Sequence, residues 1–438
     1  MPQIAAPKGT RDILPDEFAT RRWLLDAHSA VAESFGYRGI ETPVIESTEL
    51  FSRGVGTDTD IVEKQMFTFD DRGGRSLTLR PEGTAGALRA VLGAHLDQEI
   101  RPVRAHYAGP FFRAERPQAG RQHQFTQVGI ECIGEGSPAL DAEIIEVAWR
   151  FFQALGIDGI HLQVNSLGSA ADRARYRAAL VAYYTPLEAS LCDDCRRRLH
   201  TNPLRLLDCK RDAALVADAP ILWESLDTPS REHFTSVLRD LEAAGIDAVR
   251  NDRLVRGLDY YSDTVFEFWH DVLQGAQSSL GGGGRYDGLA ELLGFPPTPA
   301  TGYALGVERI LMVARALGTV PPVPTAADVL VCSVEPGQAE AAGGVARLIR
   351  DAEIRTVLDV AERRLDRKLR GATRIGARVA VIIGENEVKD DGAVVRDLDG
   401  HNQETVPISE LATTIIRILV TDSDASDSVA TDSVGEDS

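Results

Sequence analysis

Between residues 105 and 133 apolar and polar residues alternate in long stretches, the period-two pattern of half-buried strands. Other parts of the first 320 residues read as a mixture of strands and helices. Gly36 to Val44 leads into a strand start that contains Pro43, and Ser76 to Leu79 is a further short strand. Residues 139–155 follow helical spacing, with Ile144, Ile145, Val147, Ala148, Phe151 and Phe152 on an apolar stripe. From about Ala170 to Ala248 the chain is helical and rich in Ala, Leu and Arg, and this stretch interrupts two strand-rich parts as an insertion would. The Pro-dense run GTVPPVPT (318–325) predicts an extended linker. Beyond it, strands at 328–334, 354–360 and 377–384 alternate with helices near 336–353 and 362–375, a small helix-covered sheet. Residues 421–438 carry Asp, Ser and Thr with no basic residue and predict a disordered acidic tail.

A length of 438 residues allows two to four domains, and 43% apolar residues suffices for sizeable cores. No apolar run approaches the ~20 residues that span a bilayer, and MPQIAAPKGTRDILPDEF has no signal-peptide core. Membrane association is therefore not expected, and the cytoplasm is. Five cysteines, an odd number spread thinly, argue against a disulfide framework. Cys192 and Cys195 form CxxC with Cys209 further on, but a closed metal site usually needs four ligands, and His200 is poorly spaced to be the fourth. Reduced thiols and no bound metal are the expectation. The net charge of -19 means that the overall field does not steer nucleic acid to the protein, although RNA requires only local basic patches.

Five stretches carry candidate chemistry. In FFRAERPQAGRQHQFTQVGIECIG (111–134), period two puts Phe125, Gln127, Gly129 and Glu131 on one face and Thr126, Val128, Ile130 and Cys132 on the other. Arg113 and Glu115 share a strand face upstream, with a basic loop between. The pattern fits a polar binding floor, and equally a hairpin with a solvated face. In LVRGLDYYSDTVFEF (254–268), Arg256, Asp259, Tyr260 and Tyr261 crowd the start of an apolar strand. The glycines of SSLGGGGRYDGL (278–289) permit close approach of backbone to a ligand, or mark a tight turn. In TGYALGVERILMVA (301–314), Arg309 falls in the first turn of a helix beginning near Val307, where it opposes the helix dipole. In LTLRPEGTAGALRAVL (77–92), Arg80, Glu82 and Thr84 sit between a short strand and a helix, as candidate ligand contacts or as simple caps of the helix start.

Together these stretches resemble the class II aminoacyl-tRNA synthetases. FRAE with Arg121 and Phe125 is similar to the second signature motif, GYALGVER to the third, and the region of Pro43 to the first, which builds the dimer interface in that class. LVRGLDYY and GGGGRYDGL resemble the two histidine-specific motifs of the histidyl-tRNA synthetases, and KGTRDILP and LRPEGTAG are also typical of that family. The resemblance covers roughly residues 5–420, with the motifs in the family's order. It implies an α+β fold: a class II catalytic core over 1–320 with a mostly antiparallel sheet, a helical insertion at about 170–248, and an α/β anticodon-binding domain at 326–420.

The implied activity is ATP-dependent conversion of L-histidine to histidyl-adenylate and transfer to the 3' end of tRNA(His), with Mg2+ accompanying ATP, in a homodimer. The resemblance implies that Glu82, Thr84 and Gln127 hold the histidine amino group, and that Glu131 and Tyr261, with Tyr260 beside them, meet the imidazole. Arg113 would contact the α-phosphate, with Glu115 also on the ATP side. Arg121 would reach the terminal phosphate, and Phe125 and Arg309 would sandwich the adenine. Arg256 would bridge the histidine carboxylate and the α-phosphate, so Arg113 and Arg256 form the catalytic pair. Arg116 and Gln118, in the loop of the second motif, would meet the tRNA acceptor end, and the basic helix 363–374 could meet anticodon-arm phosphates or be a solvated face. Two positions depart from the family pattern, His123 where Arg often stands and Thr126 where His is common. The alternative function is that of a non-catalytic paralogue that regulates histidine biosynthesis. Such paralogues commonly lose the Arg of RGLDYY and the anticodon domain, and this chain has Arg256 and residues 326–420.

Overall fold

The structure, a computed structural model, describes residues 4–55, 61–117, 120–207, 209, 211–255, 260–273 and 279–420. The expected acidic tail lies outside the described residues. The chain divides into two compact units, Met1–Pro321 and Pro322–Ser438. Among the described residues no helix is long and apolar enough to cross a membrane.

The strands of the first unit are β1 (Arg38–Gly39), β2 (Ile45–Ser47), β3 (Phe67–Asp70), β4 (Ser76–Leu79), β5 (Val103–Phe112), β6 (Gln124–Ile133), β7 (Ile160–Ser166), β8 (Ala248–Arg250), β9 (Ser262–His270), β10 (Ser279–Arg285) and β11 (Ala300–Gly306). Eight of them form one sheet in the order β1-β5-β6-β11-β10-β9-β7-β8, and β2, β4 and β3 form a second, small sheet. The five central pairings of the large sheet are antiparallel, and only its two edge pairings, β1 with β5 and β7 with β8, are parallel. This is the mostly antiparallel core implied by the sequence resemblance.

Side-chain alternation gives the large sheet two unlike faces. Val128, Ile130 and Cys132 of β6, Phe266 and Phe268 of β9, and Tyr303 and Leu305 of β11 are buried in one apolar core. Into the same core pack Leu24 and Ala32 of helix Pro15–Ser34, Ile144, Val147, Phe151 and Phe152 of helix Pro138–Ala154, Phe234, Val237 and Leu241 of helix Thr228–Ala243, and Ile310 and Val313 of helix Val307–Leu317. Full burial of each such side chain contributes about 1.5–3 kcal/mol. The opposite face of the central strands is paved with small residues. In register across β6, β11 and β10 run Gly129, Ala304 and Gly282, and beside them Glu131, Gly302 and Gly284.

The helical stretch 170–248 does not form one body. Tyr176, Leu180, Tyr184, Cys195, Leu199, Leu206 and Val216 share a second core, whereas helix Thr228–Ala243 packs into the first. Composition could not separate these helices, because each has an apolar stripe and only the surface it meets differs. Arg113 and Glu115 are also placed otherwise than expected. β5 ends at Phe112, and both residues lie in the following loop, where the backbone N–H of Arg113 bonds the His123 carbonyl at 2.8 Å.

The second unit holds β12 (Val329–Ser333), β13 (Thr356–Asp359), β14 (Val379–Ile383), β15 (Gly392–Asp397) and β16 (Gln403–Pro407), ordered β13-β12-β14-β15-β16. The first three are parallel and the last two pairings antiparallel. Val329, Val331, Val379 and Val381 pack against helices Ala339–Asp351 and Leu411–Val420, and Leu330, Cys332 and Ile382 against helix Leu365–Arg374. That last helix is not a uniformly solvated basic face: Lys368 is buried and its ammonium donates to the Ser333 carbonyl at 2.9 Å.

A Cβ on Gly283 of β10 would lie 1.9 Å from the carbonyl oxygen of Gly302 on β11. Gly283→Ala should therefore destabilise the first unit by about 1–3 kcal/mol or more, because the obstacle is backbone in the middle of a sheet. Chemical unfolding of the full chain measures it, and an unchanged midpoint would mean that the strands separate at little cost.

Candidate active site

Above the glycine-paved face lies a cleft of about 230 Å³. Its floor comes from Phe125 and Gln127 of β6, Gly281 and Gly282 of β10, and Ala304 and Gly306 of β11. One wall is Glu82 and Thr84, the loop after β5 supplies Arg113, Glu115 and Arg121, and Arg309 enters from the helix after β11. Tyr260, Tyr261 and Glu267 line it as well. Five separated segments thus meet at one place because the sheet brings β6, β9, β10 and β11 side by side.

The loop carries positive charge that the fold keeps extended over the floor. Arg113 Nε donates to the Pro81 carbonyl at 2.9 Å, its guanidinium carbon lies 5.3 Å from the Phe125 ring centre, and burial holds its pKa below the usual arginine value. Arg121 pairs with Glu115 at 3.1 Å. Arg309 donates from Nη1 to the Ser279 carbonyl at 2.6 Å, and burial, then the charge of Arg121, lowers its pKa. Glu308 accepts the backbone N–H of Thr126 at 2.9 and 3.0 Å and so fastens this helix start to β6. His123, one of the departures, anchors the loop to the N-terminal segment. Its Nε2 is 2.9 Å from the Glu115 carbonyl oxygen and its backbone N–H donates to the Gly9 carbonyl at 2.8 Å.

The other end of the site is a buried carboxyl cluster. Glu131 is wholly buried, not part of the cleft lining, and pushed up to about 8 by burial. Its Oε1 accepts the Tyr107 hydroxyl at 3.0 Å and its Oε2 the Tyr286 hydroxyl. Gly302 makes room for it, since a Cβ there would sit 1.9 Å from Glu131 Oε2. Glu82 accepts the backbone N–H groups of Thr84 at 2.8 Å and Ala85 at 3.0 Å, capping helix Thr84–Gly93, and burial raises its pKa against these donors. It therefore caps the helix and faces the cleft at once. Gln127 Oε1 is buried with no hydrogen-bond partner among the described residues. A buried, unpaired acceptor at a cleft floor is the kind of group a ligand donor satisfies.

The structure brings Glu82, Thr84, Arg113, Glu115, Arg121, Phe125, Gln127, Tyr260, Tyr261 and Arg309 to one cleft, with Glu131 beneath it. Arg116 is exposed on the loop, and Arg256 and Gln118 lie outside the described residues. The sequence reading missed Tyr107, Tyr286 and Glu267. Tyr286 stands inside the quoted GGGGRYDGL motif, and Tyr107 sits opposite Gly129 in the strand register. It also missed what positions Tyr286. The neighbouring Arg285, 1% exposed, forms a two-pronged pair with Asp141 at 2.6 and 3.2 Å, and His233 adds a contact to the same carboxylate at 2.7 Å. Against the cost of burial, these contacts hold the Asp141 carboxyl below its usual range.

Because the folded Glu131 titrates near 8 and its ordinary value is 4.5, the folded chain holds an extra proton between those values. Its contribution to stability is thus full below the lower value and is lost as pH rises through the upper one. Relative to Glu131→Gln, the native chain should lose at most about 1.4 kcal/mol per pH unit across that window. Urea unfolding of both at a series of pH values tests this, and parallel profiles would show that Glu131 ionises freely.

A family model described as Histidyl-tRNA synthetase matches residues 9–181 and 198–310, and one described as Anticodon binding domain matches residues 328–418. The chain is 45% identical over 405 residues to the histidine–tRNA ligase of Pelotomaculum thermopropionicum, covering 92% of this chain and 95% of that protein. It is 46% identical over 407 residues to that of Moorella thermoacetica, covering 92% and 96%. The crystal structure of apo histidyl-tRNA synthetase from S. aureus superposes with a TM-score of 0.81 at 32% identity, over 94% of this chain and all of that one.

Proposed function

The chain belongs to the histidyl-tRNA synthetase family, and we infer on that premise that it joins histidine to tRNA at the expense of ATP. The observation that carries the reading is the convergence of Arg113, Arg121 and Arg309 over a glycine-floored cleft that ends in an unpaired Gln127 oxygen. Three guanidiniums suit a polyphosphate, and the Phe125 ring offers a flat surface for a base. The match at 328–418 and the nearly full-length likeness to ligases favour charging over the regulatory alternative.

In the first step the histidine carboxylate attacks the α-phosphorus of ATP. The new P–O bond replaces the bond to pyrophosphate, which leaves. Negative charge gathers on the oxygens of the α-phosphate, and Arg113 stabilises it, helped by Arg256 on the strength of the family resemblance. Such stabilisation is strong because Arg113 is already mostly withdrawn from water, its side chain 23% exposed. Arg121 takes the terminal phosphate, and Phe125 and Arg309 hold the adenine. Glu115 and Glu267 present hard oxygen donors to the cleft and would hold the Mg2+ that accompanies ATP. When bound, that ion neutralises the leaving pyrophosphate. In the second step a ribose hydroxyl of the terminal adenosine of the tRNA attacks the carbonyl carbon of the mixed anhydride and AMP leaves, with Arg116 and Gln118 meeting the acceptor end.

The amino group of histidine goes to Glu82, Thr84 and Gln127, which supply acceptors at one wall of the cleft. Its imidazole points to Tyr261, Tyr260 and the Glu131 cluster. An imidazole N–H that reaches the Glu131 carboxyl replaces one of the two tyrosine donors, so the ring is read by exchange of hydrogen bonds in a buried place. An apolar analogue gains no hydrogen bond in exchange for the tyrosine contact that it would displace, and discrimination of up to ~10⁴–10⁵ follows without editing. The likeness of the Pro43 region to the dimer-forming motif supports a homodimer, and a consumer of ATP and tRNA belongs in the cytoplasm.

Pyrophosphate should exchange into ATP only when histidine is supplied. Equal exchange with several amino acids would overturn the assignment. Arg113→Ala and Arg256→Ala should each slow activation by about 10²–10³-fold with the fold intact by circular dichroism. Glu131→Gln should raise the KM for histidine more than that for ATP, and equal losses would make Glu131 a purely structural group.

A further inference from the structure

The helical insertion contains a side-chain cluster that amino-acid activation does not use. Cys192 immediately precedes helix Asp193–Thr201 and Cys195 lies in its first turn. Cys209 and Asp212 follow the short helix Pro203–Leu206 in the chain. The three sulfurs and a carboxylate oxygen of Asp212 all lie within 4.8 Å of one another. His200, already poorly spaced to be the fourth ligand, is exposed, with Nε2 3.0 Å from Glu188 Oε1.

The separations suit a metal ion. Cys192 Sγ and Cys209 Sγ are 3.8 Å apart. Two sulfurs each about 2.3 Å from a tetrahedral Zn2+ are roughly 3.8 Å apart, whereas a disulfide brings them to about 2.05 Å. A disulfide would also leave the third thiol without a role. Burial pushes the Cys195 thiol up, and coordination to a cation is what would deprotonate it. Asp212 is already oriented, both of its oxygens accepting from the Cys192 backbone N–H at 3.3 and 3.1 Å. Cys195 is buried, and Cys192 and Cys209 are half-buried, in the core that holds Leu191, Leu199 and Leu206.

We propose that Cys192, Cys195, Cys209 and Asp212 form a structural zinc site that staples the insertion. Binding replaces the three S–H bonds by S–Zn bonds and releases three protons, while Asp212 contributes one oxygen as the carboxylate. No oxidation state changes. Four protein ligands close the coordination sphere, so the ion holds structure and binds no substrate. An ion there ties the helix start to Cys209 and Asp212, a cross-link added to a core that this region shares with Leu88, Ile133 and Val265.

The test uses the full chain, purified without a metal-affinity tag from cells grown with zinc. Elemental analysis should find about one zinc per chain, as expected of a single closed site. Replacement by cobalt should produce thiolate-to-cobalt charge-transfer absorption and the visible bands of a tetrahedral ion. Cys209→Ser and Asp212→Ala should each lower zinc content, while Cys332→Ser, outside the cluster, retains it. Chelation, with the chelator then removed and Mg2+ restored, should lower the thermal midpoint and leave histidine-dependent pyrophosphate exchange at moderate temperature near its starting rate. Protein that lacks zinc and shows no cobalt charge-transfer band overturns the proposal. So does a Cys192–Cys209 disulfide in the native chain, or three thiols that react with a disulfide reagent as freely as those of the unfolded chain.

Discussion

The site depends on keeping the middle of a sheet face empty. An antiparallel sheet normally covers both faces with side chains, and a cleft at its centre would fill. Here the strands that cross the centre carry Gly129, Gly302, Ala304 and the run Gly281 to Gly284, so the floor is nearly bare backbone. The vacancy reaches as far as Glu131, whose carboxyl occupies the space that a side chain on Gly302 would take. The opposite face has no such freedom, for its large residues lock against four helices. One face supplies the burial that holds the strands in register, and the other can therefore give up packing for binding.

Electrostatics follows from the same geometry. A chain with net charge of -19 nonetheless gathers Arg113, Arg121 and Arg309 at one cleft. Each is held by a carbonyl, a carboxylate or a ring, so its direction is set before any ligand arrives. Burial works against all ionised groups here and has opposite effects on the two ends of the cleft. It lowers the pKa of Arg113 and Arg309 while they stay charged, and it raises Glu131 so that its proton is retained near neutrality. Three guanidiniums at one end and a carboxyl with two hydroxyl donors at the other fit a substrate with a phosphate chain and an imidazole.

Supports at a distance matter as much as the lining. The Asp141–Arg285 pair ties helix Pro138–Ala154 to the end of β10 and so aims Tyr286 at Glu131. His123 ties the N-terminal segment to the loop that carries Arg121. The proposed zinc cluster plays a comparable part within the insertion.

The alternation at 105–133, the helical stripe at 139–155 and the five motif stretches were legible in the chain itself, because strand and helix periods and glycine runs are local properties. So was the two-faced character of β6. What local pattern could not determine was which surface each stripe meets. Thr228–Ala243 reads like its helical neighbours yet joins the sheet core, and Lys368 reads as a surface cation yet is buried. Nor could it determine partners far apart in sequence: Tyr107 and Tyr286 on Glu131, Asp141 on Arg285, and Asp212 beside three cysteines where His200 was the nearer candidate. Such contacts arise only when strand order brings remote segments together, and neither periodicity nor spacing encodes that order.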